Sequence, residues 1–161
     1  MDNIKSDLGK ATGLRADVET KKHGGSGGTS FTLTNGSHAV TKLKVWTDTG
    51  CGFRSDRDLV KDIEITWDDG TKRHITGNQD GNSSDITFQD KEKVSTMTLR
   101  TGNRVDKVSL TTTNSRKFDE GQDHGTAYSQ RVGNGVLLGF EGTFDAADKE
   151  LISIGSKFAT D

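Results

Sequence analysis

Three copies of one short glycine loop, spread along a single chain, leave few folds open. The first reads Gly24-Gly25-Ser26-Gly27-Gly28, followed by Thr29-Ser30-Phe31. The second reads Gly77-Asn78-Gln79-Asp80-Gly81, followed by Asn82-Ser83-Ser84-Asp85-Ile86. The third reads Gly121-Gln122-Asp123-His124-Gly125, followed by Thr126-Ala127-Tyr128. Each sets two glycines four residues apart, then small polar residues, then a side chain able to start a strand. Glycine permits positive φ and close backbone approach, which a tight exposed turn needs. The copies recur roughly every 45–53 residues, the mark of an internal repeat. A threefold repeat within one domain-sized chain predicts three similar sheets around a common axis.

The chain has 161 residues, enough for one domain with a real core. Hydrophobic residues make up only 29 %. That fraction is low, but the apolar residues alternate, which points to sheets with one face in water rather than to disorder. Net charge is −2 with both signs mixed, so no basic stripe marks a nucleic-acid partner. The single cysteine, Cys51, cannot form an internal disulfide. The N-terminus carries no apolar run of the signal-peptide kind, and no stretch has membrane-spanning length. The expected location is cytoplasmic, or outside the cell by release without a classical signal peptide.

Residues 1–22 are polar and read as an N-terminal extension, leaving 23–161 as the domain. Phe31 and Leu33 alternate with threonines, and so do the apolar positions of Val40 to Trp46. Asn35-Gly36 between them is a hairpin signal. Residues 47–58 read as a polar loop. In Val60 to Trp67, the side chains of Ile63, Ile65 and Trp67 share a face, and Asp69-Gly70 turns the chain. Further alternation follows at Ile86 and Phe88, Met97 and Leu99, Val108 and Leu110, and Val136, Leu138 and Phe140. Gly142 to Glu150 reads as a polar loop before the last strand, Leu151 to Gly155. About a dozen short strands joined by turn residues make the chain all-β, a sandwich, barrel or prism.

These residues resemble a known family. Val60-Lys61-Asp62-Ile63-Glu64-Ile65-Thr66-Trp67-Asp68-Asp69-Gly70 resembles the I-x-S-I-x-V-x-Y-x-D-G strand of jacalin-related lectins. Gly24 to Gly28 resembles their N-terminal glycine loop. Val136 to Gly142 and Leu151 to Phe158 resemble their closing hairpin. The similarity runs over roughly residues 22–159, and the resemblance implies a β-prism I fold that agrees with the threefold repeat: three four-stranded antiparallel Greek-key sheets with pseudo-threefold symmetry. It also implies carbohydrate binding with no metal, no cofactor and no catalysis. Expected partners are glycans, mono- or oligosaccharides of mannose or galactose type, with a possible homo-oligomer to add avidity.

In the family the sugar site joins the glycine loop, here Gly27 and Gly28, to a last hairpin loop carrying G-x-x-x-D. Glycine-held amides donate to sugar hydroxyls, and the aspartate accepts from two of them in charge-assisted hydrogen bonds. Here the family aspartate falls on Ile152 and the motif glycine on Asp148. Isoleucine accepts no hydrogen bond, so the substitute acceptor would be Asp148 or Glu150 from the longer loop, with Lys149 between them as a further site residue. The repeat offers a second candidate. Gly102-Asn103-Arg104-Val105-Asp106 is a G-x-x-x-D leading into a strand, and its symmetry partner is the loop Gly121 to Gly125. Asp106 is then the acceptor, with donors near Asn103 and Gly125 and with Tyr128 as a stacking ring. The same spacing also occurs at Gly52–Asp56 and Gly81–Asp85, and capping of a turn is the competing role for Asp106.

No Ser-His-Asp context, phosphate loop or H-E-x-x-H appears. His23, His38, His74 and His124 lack metal-ligand spacing, and Asn78 to Asn82 lacks the leading acid of a calcium loop. Trp46 and Trp67 read as core or sheet-face residues rather than sugar-stacking platforms. The leading functional expectation is a lectin. The competing one is a non-enzymatic prism that has lost sugar binding and recognises a protein or membrane partner, for example as the targeting part of a pore-forming system.

Overall fold

The computed structural model describes the backbone of residues 17–18 and residues 21–160 in full. Most of the expected N-terminal extension, 1–22, lies outside the described residues. The elements are β1 (Asp17–Val18), β2 (His23–Gly24), β3 (Thr29–Leu33), β4 (Val40–Thr49), β5 (Asp58–Trp67), β6 (Lys72–His74) and β7 (Asn82–Thr87), then β8 (Val94–Thr101), β9 (Val105–Thr112), β10 (Lys117–Gly121), β11 (Thr126–Ser129), β12 (Leu137–Asp145) and β13 (Glu150–Ala159). A short 3-10 turn, Gly52–Arg54, joins β4 to β5.

Two sheets follow the same path, β6-β5-β4-β7 and β10-β9-β8-β11. Each is a hairpin, a third strand added outside it, and a fourth that returns to the first strand, which is the Greek-key order. The remaining sheet repeats that path across the chain ends. β12 and β13 form the hairpin, and β3 lies beside β12. β1 and β2 pair with successive stretches of β13, at Asp17↔Ala159, Val18↔Phe158, His23↔Ile154 and Gly24↔Ser153, and together fill one edge lane. The molecule is therefore nearly all-β, three four-stranded antiparallel sheets with threefold similarity.

Alternation of apolar residues decides which face each strand buries. Leu43 and Val45, Ile63, Ile65 and Trp67, Met97 and Leu99, Val108 and Leu110, and Phe140, Ile154 and Phe158 all point to the shared core. Trp67 also donates its indole N–H to the Leu138 carbonyl at 3.0 Å. Trp46 is buried as expected, with the Lys44 ammonium over its ring.

Two expectations need correction. Asn35-Gly36 does not close a hairpin, because β3 pairs with β12 while β4 pairs with β5 and β7. The segment carries the chain from one sheet to the next and docks on the Asp68-Asp69 turn through Asn35 Nδ2 to Asp69 (2.9 Å) and His38 Nδ1 to Asp68 (2.6 Å). The polar stretch from Gly142 is also mostly strand. β12 runs on to Asp145, and only 146–149 remain as loop.

Each hairpin carries a one-residue bulge near its tip, at the same place in all three. The pairing jumps between Trp46 and Thr47 and skips Lys61. It jumps between Arg100 and Thr101 and skips Asp106, and between Thr143 and Phe144 and skips Ile152. Lys61, Asp106 and Ile152 are therefore equivalent residues.

The crossover into the third-repeat sheet is held by Glu92, whose buried carboxylate accepts from Arg116 Nε (2.9 Å), the Gln89 amide (2.8 Å) and Thr112 Oγ1 (2.5 Å). The Arg116 guanidinium, helped by these donors against the cost of burial, lowers the Glu92 pKa from 4.5 to about 2. A depressed carboxylate contributes stability that is present above its unfolded pKa and lost as pH falls through the folded one. Glu92→Gln should therefore lower stability by ~1–3 kcal/mol at neutral pH. It should also flatten the acid loss of stability between pH 4.5 and about 2, read from thermal melts of both proteins on a pH series.

Candidate functional site

The glycine loops and hairpin loops of all three repeats meet at one end of the prism. Each glycine loop folds back over the bulge of its own sheet. The Gly25 amide donates to the Ile152 carbonyl (3.0 Å), and the Gln122 amide donates to the Asp106 carbonyl (3.2 Å). In the second repeat the Thr76 hydroxyl makes the matching bond to the Lys61 carbonyl (2.5 Å). The last glycine of each loop must be glycine for want of space. A Cβ would lie 2.7 Å from the Phe144 carbonyl oxygen at Gly28, 2.1 Å from that of Thr47 at Gly81, and 2.5 Å from that of Thr101 at Gly125. Gly28 and Gly125 also have positive φ.

What differs between repeats is the side chain beneath the loop. In the first repeat Ile152 fills the space. It is 4 % exposed, and its Cδ1 would stand 2.6 Å from a Cβ on Gly28. Gly27 faces open space, but no carboxylate lies under it. In the second repeat Lys61 turns inward and donates to Glu150 (2.7 Å). In the third repeat the residue is Asp106. Its carboxylate is buried, with Oδ2 2.6 Å from a Cβ built on Gly125 and 3.9 Å from one on Gly102. The structure thus brings Gly102, Asn103, Asp106 and Gly125 together. Tyr128 is on β11 opposite Leu99, and one face of its ring stacks on His23 at 3.7 Å between centroids.

Asp106 is 1 % exposed, and among the described residues its Oδ1 has no hydrogen-bond donor. Arg57, from the second repeat's hairpin loop, sets Nε 3.4 Å from that oxygen and donates through Nη2 to Asn103 Oδ1 (2.6 Å). Burial pushes the Asp106 pKa above its usual value, and the nearby charges of Arg57, His124 and Arg100 reverse only part of that push.

The long-loop candidates have other work. Glu150 is fully buried. It accepts from Lys61 Nζ (2.7 Å), the Cys51 amide (2.8 Å) and Arg54 Nε (3.1 Å), with Arg104 Nε 3.5 Å away. Burial opposes its charge, but the bonds from Lys61 and Cys51 outweigh burial and hold its pKa below the ordinary value. Asp148 accepts from Arg54 Nη2 (3.0 Å), and Lys149 is exposed at a positive-φ turn. Cys51, Asp148 and Glu150 have ligand atoms within 4.8 Å of one another. Lys61 and Arg54 already compensate that charge, so the trio is one side of a salt-bridge cluster rather than a vacant cation set.

The bulge register shows what spacing alone could not. Counting four back from Lys61, Asp106 and Ile152 gives Arg57, Gly102 and Asp148. The G-x-x-x-D at Gly52–Asp56 and Gly81–Asp85 is therefore out of register with the site, and Gly102–Asp106 is in register. Arg57 itself was hidden, because nothing in its own repeat announces that it reaches into the next.

A family model for the Jacalin-like lectin domain matches residues 20–156, and the chain belongs to that family. No curated protein matches the chain. Among solved structures, the lamprey immune protein superposes with TM-score 0.71 at 22 % identity, covering 86 % of this chain and 44 % of that one. The chain thus spans less than half the length of the lamprey protein. A mannose-binding jacalin-related lectin from Ananas comosus gives 0.67 at 20 % identity, covering 89 % and 96 %. Artocarpin, solved as a mannotriose complex, gives 0.68 at 17 % identity, covering 90 % and 97 %. These likenesses establish the β-prism fold, and family membership supports carbohydrate binding in general. No helix among the described residues is long and apolar enough to cross a membrane.

Removing one partner from a buried ion cluster leaves the others uncompensated, which costs ~3–5 kcal/mol. Glu150→Gln should lose that much in urea denaturation, and adding Lys61→Met should recover part of it. A loss under ~0.5 kcal/mol would show that the cluster is not what holds the loops together.

Proposed function

We propose that this chain is a metal-independent, non-enzymatic lectin whose working site lies in the third repeat. One observation carries the reading. Asp106 offers a buried carboxylate with no hydrogen bond to Oδ1, set beneath Gly102 and Gly125. A buried acceptor left open costs free energy that a ligand donor restores. Sugar hydroxyls are such donors, and the glycines allow a ring to come close to backbone amides near Asn103 and Gly125. The first and second repeats hold Ile152 and Lys61 at the same position, so neither supplies that acceptor. By this reading each chain binds one glycan, and agglutination needs an oligomer. The Ananas comosus lectin binds mannose and artocarpin was solved with mannotriose, so mannose-type glycans are the first ligands to try.

A second reading has its own support. With acceptors missing from two repeats and Asp106 covered, the prism could serve as an interaction module that binds no sugar. Silence on a glycan array together with a defined protein or lipid partner would favour it.

Asp106→Asn should abolish mannotriose binding in isothermal titration calorimetry, while its thermal midpoint stays level or rises because a desolvated charge has been removed. In the parent protein the hydroxyls donate to the ionised form. Binding should therefore fade on acidification, starting above the ordinary aspartate pKa of 3.8, since burial raises that of Asp106. Retained binding in Asp106→Asn would move the site elsewhere.

A further inference from the structure

We propose that Arg57 is a latch on the third-repeat cleft: its guanidinium closes the cleft over Asp106, and a neutral sugar with vicinal hydroxyls enters by displacing it. The inference rests on the reading of Asp106 as the sugar acceptor and adds what controls access to it.

Arg57 belongs to the second repeat, yet both groups it holds belong to the third. Nη2 donates to Asn103 Oδ1 at 2.6 Å, and Nε stands 3.4 Å from Asp106 Oδ1. One guanidinium therefore spans the hairpin tip and the acceptor beneath it. The neighbouring contacts are weaker. Arg57 Nη1 is 3.6 Å from exposed Asp56, while the Asp58 amide donates to Gln122 Oε1 at 3.1 Å, tying the same loop to the third glycine loop. Asp106 is 1 % exposed, with the third glycine loop over Oδ2 and Arg57 beside Oδ1; in the latch reading the arm is the part of that cover that moves.

The side chain, not the loop, is what moves. The Arg57 backbone is held, its carbonyl accepting from the Gly50 amide at 2.9 Å and its amide donating to the Arg54 carbonyl at 3.4 Å, while Arg54 is anchored to Glu150 and Asp148. The guanidinium swings at the end of a flexible, partly exposed side chain whose base stays fixed. The pairing of Arg57 with Asp106 has ion-pair distance but no hydrogen-bond geometry, leaving Oδ1 open. A hydroxyl that reaches Oδ1 makes the charge-assisted hydrogen bond that the guanidinium, at 3.4 Å and without the right angle, does not. The incoming group must bring hydrogen-bond donors and no negative charge, because it replaces a cation beside a carboxylate. Anionic sugars are disfavoured at this position on the same ground. A latch also reduces apparent affinity by the fraction of time that the cleft is shut.

The test titrates mannotriose into the parent protein, Arg57→Ala, Arg57→Lys, Asp106→Asn and the Arg57→Ala/Asp106→Asn pair, and follows amide exchange at Asn103 and Gly125 by NMR. The latch predicts that Arg57→Ala binds about tenfold tighter and exchanges faster at both amides. Arg57→Lys, which keeps the charge without the fork, should fall between parent and alanine. The double variant should not bind. Weaker binding by Arg57→Ala, with Asp106→Asn inert, would overturn the latch and make Arg57 a ligand contact while the lectin reading stands. Equal affinity and equal exchange would overturn it too. Faster exchange in Arg57→Ala with no mannotriose bound by any protein would support the latch as a loop lock and overturn the mannose-type reading of the cleft.

Discussion

The bulge near the tip of each hairpin is the constraint on which this end of the molecule depends. A strand alternates its side chains between two faces, and a one-residue bulge re-aims one of them. In all three sheets it re-aims the same residue towards the underside of the glycine loop, which closes on it through a bond to its carbonyl. The backbone therefore builds three equal cradles. Chemistry is then assigned by one side chain per cradle: isoleucine, lysine or aspartate.

Those three choices are linked by charge. Lys61 is buried, so it needs an anion, and Glu150 supplies it from the first repeat's hairpin. Glu150 in turn gathers Arg54 from the second repeat and Arg104 from the third. Arg104 also lies 3.5 Å from Asp145, and Arg57 reaches Asp106. Each hairpin tip is thus tied to a neighbour by an arginine or lysine. This differs from a surface network, where pairs are worth little. Around Glu150, Lys61 and Arg54 are out of water along with the carboxylate, and loss of either side leaves its partner stranded. The first and second cradles have in effect been given over to holding the loops together, and the third cradle keeps its carboxylate unbonded at Oδ1.

Much of the fold could be read from residues. Glycine pairs mark the three loops, and apolar alternation marks the strands, because both signals are local. The Asn35-Gly36 segment misled for the same reason: the turn is real, but which strands it joins is decided by pairing with β12, far along the chain. Ile152 in place of an acceptor was legible once the closing hairpin was aligned, as was the G-x-x-x-D at Gly102–Asp106. Glu150 was not. It sits two residues before the bulge, where strand parity alone does not say which way it faces, and its partners lie 89 to 99 residues away. Arg57 was hidden too, since a loop arginine acquires meaning only when the neighbouring repeat is placed beside it.

Asp106 shows how a binding role and a structural one can be told apart on physical grounds. A carboxylate kept only for structure should have its oxygens taken, as Glu92 and Asp62 do. Asp62 Oδ1 alone accepts from the amides of Ile63, Ile75 and Thr76. Where donors replace the lost water, as they do at Glu92, the pKa falls. Asp106 has comparable burial and too little of that compensation: its Oδ1 is unbonded, its guanidinium partner is oblique, and burial, only partly offset by nearby cations, moves its pKa upward instead of down. A turn-capping aspartate would show the reverse. The free energy given up by holding this carboxylate out of water, without donors, is available to whatever brings them, and hydroxyl groups that displace Arg57 bring two at once.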